Sequence, residues 1–260
     1  MDLIDMLIGG AVGAVIGVAF GVTIQSYFRP LSAAIERRSR RRWSSPVIVH
    51  IERDPAIIWR DAPDWVGFAV YVDDPARFVG PTPDDRTRWL RWTKERNAVD
   101  AWTTPLEVTI QARTEAAVVI DGLHLMRHRS IPLTGGMILI RAVGGADLEP
   151  RRFEVHLDRD IVDVDWVDGG GQPTHPPSMV LAAGDAERFH IWATTDSQRE
   201  VSVLHEWTIE LLLLVEGTRQ KAQIDDDGKP FVTVSAGNLP TRFNMAGTDR
   251  WASDTDGPFK

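Results

Sequence analysis

The chain has 260 residues, of which 43% are hydrophobic and 25% charged, ordinary values that exclude fibrous and wholly disordered proteins. It contains no cysteine, which excludes a disulfide framework, a thiolate metal site and a cysteine nucleophile. Residues 1–45 hold six arginines and three acidic residues, whereas residues 46–260 hold 23 basic and 34 acidic residues. Because an acidic body lacks the positive face that phosphate binding needs, we expect no nucleic acid partner.

Residues 6–24 form a run of nineteen residues without a charged side chain, MLIGGAVGAVIGVAFGVTI. As a helix at about 1.5 Å per residue, this run spans roughly 28 Å, close to the ~30 Å of a bilayer core. A cleavable signal peptide is the alternative interpretation. However, Asp2 and Asp5 lie where a signal peptide carries basic residues, and the apolar region of a signal peptide is shorter than this run. The sequence therefore predicts a transmembrane anchor over residues 1–28, with the lipid bilayer as a partner.

A basic juxtamembrane segment, residues 29–45, follows the predicted anchor. Five of its arginines form what we call the arginine cluster: Arg37, Arg38, Arg40, Arg41 and Arg42. Positively charged flanks stay on the cytoplasmic side of a membrane. The sequence therefore predicts a single-pass protein of the inner membrane with its C-terminal domain in the cytoplasm. The cluster either sets only this topology or also binds anionic lipid headgroups.

Within the predicted span, glycine recurs at every fourth position, at Gly9, Gly13, Gly17 and Gly21, which we call the glycine face. This spacing places the four residues on one side of a helix, where the missing side chains let a second helix approach closely. Such a glycine zipper predicts a homo-oligomer that is held through the membrane helix. The alternative is an anchor that is simply rich in small residues.

After the basic segment, most of the chain alternates apolar and polar residues with the period of a strand that has one buried face. Leu106, Val108 and Ile110 are one such set of inward positions, and glycine-containing turns separate the successive runs. Regular short strands with such turns predict a mainly β fold. We expect an antiparallel, immunoglobulin-like β-sandwich over residues 46–238.

One amphipathic helix is predicted within this β region, near residues 84–97. Pro83 and Asp84 suit a first helical turn, and Trp89 and Trp92 lie three residues apart on one face. By contrast, residues 239–260 are polar and rich in glycine and aspartate, which predicts a flexible tail.

Three segments of the chain carry a resemblance to a known family: VVIDGL at residues 118–123, LEPRRFEVHLD at residues 148–158 and DDGKPF at residues 226–231. They are similar to segments of a family of uncharacterised bacterial β-sandwich proteins, over roughly residues 80–235. The resemblance implies a β-sandwich that is carried behind a membrane segment or another N-terminal module. It implies no activity and no site residues, and His156 departs from the V-D-L-D pattern of that family.

The seven histidines are the obvious candidates for a metal site. His124 and His128 lie four residues apart, which on a strand of about 3.3 Å per residue separates them by about 13 Å, too far for one metal ion. His50, His156 and His190 converge only if the fold brings their strands together, which the sequence does not decide. We therefore expect no metal centre.

Two groups of aspartates are also conspicuous. In Asp225-Asp226-Asp227-Gly228, the Asp-Gly step predicts a hairpin turn rather than a calcium site, because the EF-hand spacing of ligands is missing. An acidic ladder is formed by Asp158, Asp160, Asp163, Asp165 and Asp168. It predicts a solvated strand face that discourages edge pairing, or else a surface for a cation or a basic partner.

No nucleophile elbow, P-loop or dinucleotide-binding glycine motif occurs in the sequence. We therefore expect a protein that is not an enzyme and takes no cofactor. Its expected function is that of a membrane-anchored adaptor whose cytoplasmic β-sandwich binds another, unidentified protein. The alternative is an effector whose associated helices perturb the membrane while the β domain acts as a sensor. An enzyme is expected only if the fold brings dispersed His and Asp residues together.

Overall fold

The computed structural model describes residues 45–60, 68–78, 86–141, 152–159, 164–167, 172–174, 179–196, 200–235, 237–244 and 251–253. The chain divides into two compact units, Met1–Pro46 and Val47–Lys260. The predicted anchor, the glycine face and the arginine cluster lie outside the described residues. Within the described residues, no helix combines the length and the apolar character that crossing a membrane requires.

The described part of the Val47–Lys260 unit is mainly β, as predicted, and its strands form two sheets. In spatial order, the first sheet contains β1 (Val47–Glu52), β4 (Thr103–Ala112), β11 (Ala186–Thr194), β7 (Arg152–His156), β8 (Asp165–Val167) and β9 (Pro173–Thr174). The second sheet contains β10 (Met179–Leu181), β5 (Val118–Pro132), β12 (Val203–Val215), β14 (Phe231–Ser235), β3 (Val99–Ala101), β2 (Phe68–Val72), β6 (Met137–Arg141), β15 (Thr241–Asn244) and β16 (Trp251–Ser253), with β13 (Thr218–Ile224) paired to β12.

One main hydrophobic core joins the two sheets. The predicted inward positions of β4, Leu106, Val108 and Ile110, are completely buried in it. Across from them, Trp207 and Ile209 of β12 are also completely buried in the same cluster. Because side chains alternate between the two faces of a strand, both sheets turn their apolar face to this core.

Three of the described strand pairs are parallel, so the prediction of an antiparallel sandwich is wrong for these pairs. β11 pairs with β7, β14 with β3 and β15 with β6 in the parallel sense. Together with the ten described strands of the second sheet, these pairs differ from the seven to nine antiparallel strands of an immunoglobulin domain. The period-two pattern shows which face of a strand is buried, but it carries no information about the direction of the neighbouring strand.

The described helical segments are short. They are α1 (Pro55–Ile58), a 3₁₀ turn (Pro75–Phe78) and α2 (Arg86–Lys94). The last of these confirms the helix predicted near residues 84–97. The helix ends at Lys94, and in the turn that follows it Asn97 takes a positive φ of 54°, a conformation that Asn tolerates well after a helix.

Two strands lie within the range that the sequence predicts as a flexible tail. β15 pairs with β6, and β16 pairs with β15, so both extend the second sheet. Phe243 of β15 packs against a smaller hydrophobic cluster that includes Ile138 of β6. These two segments are therefore paired within the sheet, and the flexible tail over residues 239–260 stays a prediction.

Candidate functional site

A serine, a histidine and an aspartate meet at one end of the two sheets. Ser130 lies near the end of β5, His205 near the start of β12, and Asp158 just after the end of β7. The Ser130 Oγ is 3.1 Å from the His205 Nδ1, and the His205 Nε2 is 3.1 Å from the Asp158 Oδ1. We call these three residues the Ser-His-Asp cluster. It joins the two sheets, because β7 belongs to the first and β5 and β12 to the second.

Asp158 is fixed from both sheets. The backbone N–H of Asp196, which follows β11, donates to the Asp158 Oδ2 at 2.6 Å, while the Oδ1 faces His205. The preceding residue is held as well, since the Leu157 N–H donates to the Thr194 carbonyl at 2.9 Å. The side chain of Asp158 is only 6% exposed. The prediction that the acidic ladder is a solvated strand face is therefore wrong for Asp158.

The partners of His205 determine its tautomer. The ring is 2% exposed and lies on the same face of β12 as the buried Trp207. An ionised carboxylate only accepts hydrogen bonds, so the His205 Nε2 carries a hydrogen and donates it in the hydrogen bond to Asp158. The Nδ1 then presents its lone pair to the hydroxyl of Ser130. Ser130 itself is an exposed residue, whereas the side chains of His205 and Asp158 are shielded from solvent.

A β-bulge in β5 is what brings Ser130 opposite His205. Arg127 pairs with Trp207 and Arg129 with Glu206, so His128 is an extra residue in the ladder. Without the extra residue, side chains would alternate regularly between the two faces of β5, and Arg129 would lie on the same face as Arg127. The bulge instead places Ser130 opposite His205. Bulges that re-aim a side chain are common next to functional sites.

One edge of the same stretch of β5, residues 121–132, pairs with no other described strand, and we call it the free edge. On one side, β12 pairs with the whole strand, whereas on the other side β10 covers only Val118–Ile120. No other described strand pairs with residues 121–132 on that side. Two arginines, Arg127 and Arg129, lie within this stretch of β5. Arg129 is 62% exposed and lies 3.9 Å from Glu206.

The register shows where the backbone groups of Ser130 point. The Leu133 N–H donates to the Ser202 carbonyl at 2.8 Å, which makes these two residues a hydrogen-bonded pair. Hydrogen-bonded and non-hydrogen-bonded pairs alternate along an antiparallel ladder, so Ser130 and His205 form a non-hydrogen-bonded pair. Their side chains are therefore close, and the N–H and C=O of Ser130 point away from β12 toward the free edge.

The other histidines do not converge on a common point. His190 of β11 lies 3.9 Å from Glu107 of β4, whereas His156 of β7 lies 3.2 Å from the Thr194 hydroxyl and 3.8 Å from Asp165. No group of His, Asp or Glu among the described residues is arranged to hold a metal ion. Burial lowers the pKa of His190; Glu107 opposes this change and Arg188 adds to it.

The structure and the sequence single out different residues. The glycine face and the arginine cluster, on which the sequence places helix association and membrane topology, lie outside the described range. The Ser-His-Asp cluster was missed. One signal was present: His205 continues the inward stripe of Trp207 and Ile209, and a polar side chain on an apolar face needs a buried partner.

Comparisons with known proteins add no identity. No protein-family model matches the chain, and no curated protein sequence matches it. The resemblance to the uncharacterised bacterial family stays a prediction, and the function must be inferred from the residues themselves.

Proposed function

We propose that the protein is a single-pass membrane protein whose cytoplasmic β domain binds an extended, acidic segment of a partner protein by strand addition to β5. The observation that carries this proposal is the free, basic edge of β5 over residues 121–132. An exposed strand edge offers unpaired N–H and C=O groups to a second strand, and many peptide-binding domains use such an edge.

Charge favours an acidic occupant. The chain carries a net charge of −8 and its residues 46–260 are more acidic still, so an acidic peptide is repelled by most of the domain. Arg127 and Arg129 lie within this edge, where an added strand would run alongside them. Complementary charge at one site and repulsion elsewhere give specificity of position.

The membrane part of the proposal rests on residues 6–24 and on the arginines that follow them. An uncharged run of this length matches a bilayer core, and the arginine cluster favours a cytoplasmic location for the β domain. The glycine face would bring two copies together, so that two β5 edges are tethered side by side. A partner with two acidic segments would then bind with avidity, without any additional contact.

The glycine repeat also supports a second candidate function, that of a membrane-perturbing effector with the β domain as its sensor. Close helix packing in lipid is common to both functions, but only the effector makes the bilayer permeable. Release of a trapped dye from liposomes by a peptide of residues 1–28 would favour the effector. Intact liposomes that contain the associated peptide would favour the adaptor.

Binding to β5 can be tested with the full chain in detergent micelles and two labelled decapeptides, one alternating Glu and Val and the other alternating Lys and Val. We expect fluorescence polarisation to show binding of the acidic peptide in preference to the basic one. Arg129→Glu should weaken acidic-peptide binding about fivefold to tenfold, which corresponds to about 1 kcal/mol of lost charge interaction.

Arg242→Glu on β15 is the matched control, because it makes the same charge change at another exposed arginine of the second sheet. It should leave the affinity within about twofold. Equal binding of the two peptides, or equal weakening by both variants, would refute the proposed site.

A further inference from the structure

We infer that Ser130 is the nucleophile of a hydrolytic site for carboxylic esters, with His205 as its general base and Asp158 as a positioning residue. This inference goes beyond the proposed binding function and does not depend on it. It departs from the sequence-based expectation of a non-catalytic protein, because the fold brings together residues that are 75 and 47 positions apart in the chain.

The arrangement meets the geometric requirements for an activated serine. A nucleophile and a base lie within hydrogen-bonding distance of each other, and a third group orients the base. Here both distances are 3.1 Å. Burial also increases from the nucleophile to the groups behind it, since Ser130 is an exposed residue while the side chains of His205 and Asp158 are shielded from water.

Asp158 acts through His205 rather than on the substrate. Its carboxylate keeps the proton on the Nε2 and stabilises the imidazolium that forms when the Nδ1 takes a proton. The Nδ1 and the Nε2 of imidazole are both competent bases, so the use of the Nδ1 toward serine changes the orientation of the ring but not its chemistry. The hydrogen bond from Asp196 to the Oδ2 prevents the carboxylate from turning away.

The proposed reaction has two balanced steps. In the first, the Ser130 Oγ forms a bond to the ester carbonyl carbon as its proton passes to the His205 Nδ1. The carbon–oxygen bond to the alcohol then breaks, and the imidazolium returns the proton to the leaving alkoxide, which departs as the alcohol. In the second, water attacks the acyl-serine with His205 as base, releasing the carboxylic acid and regenerating the hydroxyl.

Backbone geometry favours esters over amides as the substrate class. The developing oxyanion needs N–H donors close to the nucleophile, and the Ser130 N–H points toward the free edge beside its own hydroxyl. A single donor of this kind suits an ester, whose alkoxide leaving group departs more readily than an amine.

A fluorophosphonate probe tests the inference on the full chain in detergent micelles. Its phosphorus forms a bond to an activated serine oxygen while fluoride leaves, and tandem mass spectrometry locates the adduct. We expect the adduct on Ser130. Absence of an adduct on Ser130 would overturn the inference.

Variants separate catalysis from folding. His205→Gln and Asp158→Asn should each slow labelling at least about 100-fold, the usual effect of losing a positioned base. Asp158→Asn can keep both hydrogen bonds but reverses the tautomer of His205, so the rate should fall even where the melting temperature is unchanged. His50→Gln on the exposed face of β1 is the control and should label like the wild type.

Ser130→Ala distinguishes this inference from the proposed function. It should abolish labelling at residue 130 and leave binding of the acidic peptide intact. Labelling that is as fast in a folded Asp158→Asn variant as in the wild type would show that the cluster is structural. The wild-type adduct decides the question even if the variants of the two buried residues do not fold.

Discussion

Replacing Thr233 with valine should destabilise the β domain, because its hydroxyl is the hydrogen-bond partner of a buried indole N–H. The Thr233 Oγ1 accepts a hydrogen bond from the Trp207 Nε1 at 2.9 Å and lies 2.6 Å from the Thr104 Oγ1. All three residues are completely or almost completely buried. Thr104 belongs to the first sheet and the other two to the second, so this network joins the sheets by hydrogen bonds.

The size of the effect follows from the buried group that loses its partner. Valine has nearly the shape of threonine, so Thr233→Val creates no cavity, but it leaves the Trp207 N–H unpaired, whereas the Thr104 hydroxyl keeps its hydrogen bond to Asp100. An unpaired buried group costs about 1–3 kcal/mol, so the free energy of unfolding should fall by about that amount. At about 2–4 °C per kcal/mol for a domain of this size, the melting temperature should fall by about 2–12 °C.

Thr233→Ser is the matched control, since it keeps the hydroxyl and removes one buried methyl group, at a cost of about 1 kcal/mol. Tryptophan fluorescence of the full chain in detergent, followed during heating, measures both variants. The double variant Thr104→Val with Thr233→Val should be less destabilised than the sum of the single variants, because the two groups are partners. If valine is tolerated as well as serine, the hydrogen-bond network between the sheets is wrong.

Three further predictions concern the membrane segment and pH. Alkaline phosphatase, a reporter that is active only in the periplasm, should be inactive when it is fused at Lys260 of the wild type. Replacing the arginine cluster with serine should raise the activity of the reporter. High activity of the wild-type fusion would contradict the predicted topology. The double variant Gly13→Ile with Gly17→Ile should still insert into the membrane, but its self-association in a membrane dimerisation reporter should fall at least about fivefold. Each lost helix contact costs on the order of 1 kcal/mol. An unchanged reporter signal would contradict helix association through the glycine face. Because burial lowers the pKa of His190 in the folded state, the unfolded state takes up its proton first as pH falls below about 6.5. Acidification from pH 7 to pH 5 should therefore lower the melting temperature less in His190→Gln than in the wild type, and equal slopes would exclude His190 as the cause.

Local patterns in the sequence predicted local structure well. The alternation in β4 identified its buried face, and all its inward residues lie in the core. Asp227-Gly228 forms the predicted hairpin turn, in which both residues have positive φ, 52° and 82°, and Asp226 pairs with Lys229. These features depend on residues close together in the chain, so the sequence displays their cause directly.

The candidate site depends on longer-range causes. The bulge at His128 shifts the facing of Ser130, and no alternation rule signals a bulge in advance. Asp158 belongs to a run of aspartates that looks like a solvated face, and its burial comes from the partners His205 and Asp196 rather than from its neighbours in sequence. The parallel strand pairs arise from the path of the chain, which the residue pattern does not encode.

The most direct test of the central claim is backbone amide exchange at Ser130, measured by NMR on the full chain in detergent with and without the Glu-Val decapeptide. The Ser130 N–H points to the free edge of β5, whereas the Ile131 N–H faces β12 and bonds within the sheet. Strand addition should slow exchange at Ser130 markedly and change exchange at Ile131 little. Saturating peptide that leaves exchange at Ser130 unchanged would contradict binding at this edge.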